Sequence, residues 1–139
     1  VADFISFSAG RAFLANGGLP ATCYFLLSTK PCSGTGTHVV GDTLAGGVGE
    51  ITGTGYTRQS QAEPTATTAT PASVVFTQMT WNTGAATNWP ASVKSCVLAT
   101  TSDNSGVALC AWNLQAGGTA RNMAAASTLE QFTPTLNLA

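Results

Sequence analysis

The stretch TNWPASVKSCVLATTSDNSGVALCAWNL, residues 87–114, decides how this chain reads. Two runs rich in apolar and β-branched residues, 93–99 and 107–114, flank TTSDNSG, a cluster of turn formers, and together they predict a β-hairpin. With the turn centred on Asp103, Leu98 faces Ala108, Cys96 faces Cys110 and Lys94 faces Trp112. Directly opposed residues lie ~4.5–5.5 Å apart at Cβ, so this register sets the two thiols side by side and a cation over an indole.

Working outward, PATCYFLLST (20–29) is apolar on both alternating faces, which predicts a central strand covered on both sides. YTRQSQA (56–62) opens another strand, and EPTATTATPAS after it reads as an edge segment or surface loop. SVVFTQMTW (73–81) reads as one strand. LEQFTPTLNL closes the chain, with Pro134 marking an edge position or a strand that begins just after it. MAAAS before it reads as a short loop. In residues 1–18, Phe4, Phe7, Phe13 and Leu14 share an approximate helical face, Ser6 is an N-cap candidate and Asn16-Gly17-Gly18 a stop, while Gly10 weakens the helix. The alternative is an extended, Phe-rich arm that clips onto a neighbouring subunit. The expected architecture is all-β: a jelly-roll-like β-sandwich of about six to eight short strands over residues 19–139, preceded by a short helix or arm over 1–18.

The Gly-rich segment 32–55 is a long loop, expected to be functional or mobile. Its GTGTH and GGVGE are not a phosphate cradle, because a P-loop needs GxxxxGK[ST] and no lysine falls between Lys30 and Lys94. Asp42 and Glu50 lack the alternating oxygen ligands of a calcium loop.

Composition narrows function by exclusion. The chain has 139 residues, a net charge of −1 and 8% charged residues, against ~25% in a typical domain. Ser and Thr make up roughly a quarter of it, giving a polar surface with little charge, suited to a protein docked in an assembly. Five scattered cations and no basic patch argue against nucleic acid. No apolar run approaches the ~18 residues of a membrane span, and VADFISFSAGR is not an intact secretory signal. Cys23, Cys32, Cys96 and Cys110 show no CxxC spacing, so neither a metal nor a cofactor is expected. Cys96 and Cys110 read equally as a disulfide or as two thiols filling the core.

Catalysis is not expected either. Any Ser-His or Cys-His mechanism must use His38, the single histidine, and GxSxG does not occur. The six acids fall mostly in expected loops or at termini, where solvated carboxylates belong. Of Trp81, Trp89 and Trp112, two are expected in the core and at most one at an interface.

Four pieces in order carry a resemblance: the segment ending in Asn-Gly-Gly, then PATCYFLLST, then GTGYTRQ (53–59), then the Val-Val-Phe strand followed by TNWPASVKSCVLATTSDNSGVALCAWNL. This order resembles a family of short tailed-phage virion proteins, often loosely labelled tail-fibre proteins, related in kind to capsid cement or decoration subunits. Trp89 followed by Pro90 rather than Gly, and Thr57 in place of Ala, depart from the pattern. The resemblance implies a non-enzymatic virion structural protein. Without a repetitive shaft or coiled-coil segment, the expectation is a capsid cement protein on the capsid exterior, made in the bacterial host cytoplasm. It would bridge neighbouring copies of the major capsid protein and pair with itself as a homodimer or other symmetric oligomer. The alternative is a tail- or head-fibre tip that binds host glycans through an exposed tryptophan. Candidate partner-contact residues are Phe4, Ile5 and Phe7 in the arm, His38, Asp42 and Glu50 in the loop, and Tyr56 and Arg58 beyond it.

Overall fold

The computed structural model describes residues 3–64 and 73–137. The hairpin forms, with strands Ser95–Ala99 and Ala108–Asn113 antiparallel, but its register differs from the expectation. Cys96 pairs with Trp112, Val97 with Ala111 and Leu98 with Cys110; a bulge then leaves Leu109 as the extra residue before Ala99 meets Ala108. Lys94 lies opposite Leu114, whose N–H donates to its carbonyl. The turn is the cause. Thr100 and Val107 close it through backbone and hydroxyl bonds, and Asp103 Oδ1 accepts from both Ser105 N–H and Ser105 Oγ, drawing the turn past its expected centre. A two-residue slip keeps every side chain on its face, so Cys96 and Cys110 still look into the same core. They are free thiols, as are Cys23 and Cys32. Burial pushes the thiols of Cys96 and Cys110 well up.

Numbering strands in chain order gives β1 (Phe4–Ser6), α1 (Ser8–Gly17), β2 (Thr22–Ser28), β3 (Gln59–Ala62), β4 (Ser73–Val75), β5 (Met79–Asn82), β6 (Ser95–Ala99), β7 (Ala108–Asn113), β8 (Leu129–Phe132) and β9 (Thr135–Asn137). Five form an open antiparallel sheet in the order β1-β7-β6-β2-β3. Two ribbons, β4–β9 and β5–β8, complete a β-rich, sandwich-like fold with one short helix. As its two apolar faces predict, β2 is interior to the sheet.

SVVFTQMTW is two strands, not one. The ribbon breaks at the same level on both sides: Phe76 N–H donates to Pro134 O, and Thr77 turns away to pair with Gln61 of β3 through its N–H and carbonyl. Pro134 has no N–H for a continuous ladder, so β9 begins at Thr135. The Ala-rich segment before β8 is a turn. The reading of EPTATTATPAS falls mainly on residues 65–72, outside the described residues.

The N-terminal segment holds an extended piece and a short helix, and the extended piece packs on its own chain. Phe4–Ser6 is an extended edge strand on β7 of its own chain, and α1 follows. The shared helical face does not form, because Phe4 and Phe7 precede the helix. Ser6 is not the cap: Phe7 holds that position without a side-chain bond, and Ser6 Oγ accepts from Arg11 instead. Gly18 N–H closes the helix on Leu14 O, as the Asn-Gly-Gly stop predicts.

Two cores sandwich the sheet. On one face Phe25, Leu27, Cys96, Leu98, Cys110 and Trp112 meet Val74, Phe76, Trp81 and Leu136 from the ribbon side. On the other, Leu26, Val97, Ala99 and Ala111 are covered by Phe7 and by Cys32, Leu44 and Val48 of the long loop. All three tryptophans are buried.

Gly10 is what lets α1 touch β7. A Cβ there would lie 2.5 Å from Leu109 Cα and nearer still to its carbonyl oxygen, which already accepts Phe7 N–H. Ala gains ~1 kcal/mol of helix propensity over Gly, whereas forcing atoms into packed backbone costs ~1–3 kcal/mol. Gly10→Ala is expected to destabilise the protein by about 1 kcal/mol net in urea unfolding; a gain in stability would show that α1 stands off the bulge.

Candidate functional site

The loop 32–55 is packed rather than loose. Leu44, Val48 and Ile51 are buried, and the loop is tied to β2 by Thr29 N–H to Gly49 O and Ile51 N–H to Leu27 O. Two polar clusters hold it, and six of the eight expected contact residues lie in or against them.

The first cluster is inside. His38 and Asp42, four apart on the loop, face each other with Nδ1 3.3 Å from Oδ2. On the other side of the ring, Nε2 lies 2.9 Å from Oγ of Ser95, the first residue of β6. Asp42 Oδ2 also accepts from Lys30 Nζ at 2.8 Å and from Val39 N–H at 3.1 Å. Lys30 Nζ donates further to Gly47 O at 2.6 Å, and Ser95 Oγ donates to Lys30 O at 2.6 Å. The ring of Phe7 stands edge-on to that of His38, centroids 5.5 Å apart, and Ser8 N–H donates to Val40 O. The arm and the loop, nominated separately from sequence, are therefore docked on each other.

Burial sets the charges here. It pushes the His38 imidazole below its ordinary value, against the pull of Asp42. It would raise Asp42, but bonds from Lys30, Val39 N–H and His38 outweigh it and hold that carboxyl below the usual range. A neutral ring donating Nδ1–H to Asp42 leaves Ser95 one proton for two acceptors, His38 Nε2 and Lys30 O. A second ring proton would complete that chain, a net gain of ~1 kcal/mol. It would also add a cation beside a carboxylate already matched by Lys30, and an unpaired buried charge costs several kcal/mol. The neutral ring wins at neutral pH.

Ser95, His38 and Asp42 are connected in the order of a nucleophile, base and orienting acid. Ser95, however, is buried, and its hydroxyl is engaged with a backbone carbonyl. This geometry ties loop to sheet.

The second cluster is a clamp. Glu50, bridged to Ser28 at the end of β2, accepts from Arg58 through both oxygens: Nε to Oε1 at 2.9 Å and Nη2 to Oε2 at 2.6 Å. The remaining Arg58 donors reach Thr101 O, Asp103 O and Asn104 Oδ1 in the hairpin turn. All five guanidinium N–H groups are thus occupied. Tyr56 Oη accepts Leu27 N–H and donates to Glu50; burial beside that carboxylate pushes the phenol up. The ring of Tyr56 stands edge-on to Trp89, whose Nε1–H donates to Thr54 O. An open groove of about 680 Å³ runs over this clamp, between Thr52, Thr57 and Ser102–Asn104.

The structure thus joins Glu50 with Tyr56 and Arg58, and His38 with Asp42, as two separate clusters. Phe7, His38 and Asp42 lie inside the fold. Ile5 packs partly on the loop-side core, and Phe4 lies half-exposed against Trp112, centroids 5.6 Å apart. Sequence reasoning missed Lys30, just beyond β2, and Ser95, which comes from β6, 57 residues from His38. It also passed over Val39 and Val40, among the most exposed large apolar residues at 57% and 50%. Adjacent valines in a Gly/Thr loop were the available signal. Among the described residues no cluster of His, Cys, Asp and Glu could hold a metal, and no helix is long and apolar enough to cross a membrane. The chain matches no protein-family model, no curated protein and no solved structure.

Arg58→Lys keeps the charge and loses the five-donor fork. With hydrogen bonds to charged groups contributing ~1.5–3 kcal/mol each, the variant is expected to lose about 2–3 kcal/mol in urea unfolding and to speed amide exchange in the 101–106 turn. Wild-type stability would mean the clamp contributes nothing.

Proposed function

We propose that the chain is a non-enzymatic structural subunit of a tailed-phage virion, a capsid cement protein with a jelly-roll-like sandwich. In this reading it sits on the capsid exterior, binds the major capsid protein shell, bridges neighbouring capsomers and pairs with itself. The observation that carries the reading is the loop tip. Val39 and Val40 stand in solvent on a base made rigid by Asp42, Lys30, His38 and Ser95. A preformed apolar tip loses little entropy on docking, which is what affinity from a small contact requires. The sparse charge supports the same reading: three ion pairs, Lys30–Asp42, Arg58–Glu50 and Arg121–Glu130, use six of the eleven charged residues internally.

The arm contributes differently from its sequence reading. Since β1 pairs with β7 and Phe7 is core, the reading assigns the arm to buttressing the loop, with Phe4 at the surface. The glycan-binding alternative relied on an exposed tryptophan; with all three buried, and the indole N–H groups of Trp89 and Trp112 bonded to Thr54 O and Thr135 O, it has less support.

Two experiments test this. Each valine is already about half covered, so docking its remainder contributes ~1 kcal/mol. Val39→Ser with Val40→Ser is then expected to leave the fold intact and reduce particle occupancy about 30-fold in affinity, with the wild-type protein located on the head by low-resolution reconstruction. Location at the tail tip, or unchanged occupancy, would sink the reading. A fluorophosphonate probe is expected to leave Ser95 unmodified at pH 7.5; an adduct there would move the chain to the hydrolases.

A further inference from the structure

His38 is the chain's single histidine, and its ring is fully enclosed. Four elements close on it: Asp42 from its own loop, Lys30 from just beyond β2, Ser95 from β6 and Phe7 from the arm. The charged groups acting on the ring are Asp42 and Lys30. Cys32, in the same core, is kept a neutral thiol by burial, which pushes it up to about 12. The charges already balance: Lys30 Nζ lies nearer to Asp42 Oδ2, at 2.8 Å, than His38 Nδ1 does, at 3.3 Å. A proton on the ring therefore adds a second cation to one carboxylate, on a side chain with no exposed surface.

We propose that the segment from Gly34 to Gly49 is an acid-released latch, in which protonation of His38 frees the loop from the sheet. Gly34 and Gly49 hold positive φ, 97° and 65°, and flank the segment as hinges. Beneath it, β6 and β7 stay paired through their own ladder, so the loop opens without unfolding the sheet. Opening carries Val39 and Val40 away and uncovers Leu26, Val97 and Ala111. The inference does not depend on what the valine tip contacts.

The sign follows from linkage. In the open loop the ring is solvated and titrates near 6.5; in the closed loop burial holds it lower. The closed form binds fewer protons, so closure is at full strength above pH 6.5 and weakens as pH falls from there toward the folded value. Asp42, held below 3.8, stays ionised across this window.

The test uses the intact protein and NMR, where a single histidine makes the ring resonances unambiguous. From pH 8 to 4.5 the ring is expected to titrate below 6.5. Protection factors of the Ser8 and Thr29 amides, which donate across the loop boundary to Val40 O and Gly49 O, should fall by up to about tenfold per pH unit in that range, while those of Val97 and Ala111 hold. A ring that titrates at or above 6.5, or loop and sheet protection falling together, would overturn the latch. Lys30→Met leaves His38 as the only cation available to Asp42, so its ring pKa should rise and the acid release disappear; an unchanged ring pKa would also overturn it. His38→Gln is expected to abolish the pH dependence of loop protection, and its persistence would count against the proposal. Should either variant fail to fold, the wild-type titration decides alone.

Discussion

The structure depends on one constraint: the strands β2, β6 and β7 are apolar on both faces, so the sheet must be covered twice. The ribbons β4–β9 and β5–β8 bring Phe76, Trp81 and Leu136 to one face. On the other face, the 32–55 loop with the arm before α1 supplies Leu44, Val48 and Phe7. Burying apolar surface contributes roughly 25 cal/mol per Å², so a loop that covers a sheet is held there by the same force that builds the core.

A loop used as a layer brings its polar groups indoors, and each then needs a partner. Hence the His38–Asp42–Lys30–Ser95 cluster, and hence the Arg58–Glu50 clamp that joins the loop's far end to the hairpin turn. Few charges are present, and those in these clusters are spent on joining elements distant in sequence. The same economy leaves a surface of Gly, Thr, Ser and Val whose prominent apolar feature is the loop tip.

Much of the fold was legible. Apolar, β-branched runs located β2 and both hairpin strands, and Asn-Gly-Gly located the end of α1. The register was not, because an Asx turn at Asp103 and a bulge at Leu109 depend on hydroxyl and backbone geometry that turn composition does not rank. The split of 73–81 was not legible: Pro134 offered an edge position or a strand beginning just after it, and only the Gln61 contact to Thr77 shows why both strands break together. For the site, His38, Asp42, Glu50, Tyr56 and Arg58 were nominated as partner contacts in or beside a Gly-rich loop, not as the two internal clusters they form. Their partners were not, since Ser95 lies 57 residues from His38 and Asn104 lies 46 from Arg58.

By itself the sequence determined what periodicity and composition determine: a β-rich chain, sparse charge, a hairpin, a central strand and a loop too long to be a mere connector. Tertiary structure decided what the loop is for. Whether a Gly-rich segment hangs in solvent or lies on a sheet depends on whether the sheet has an uncovered face, a property of the whole chain that no local window contains. The same decision turned Phe7, His38 and Asp42 inward, left Val39 and Val40 outside, and made Gly10 the residue on which the helix rests.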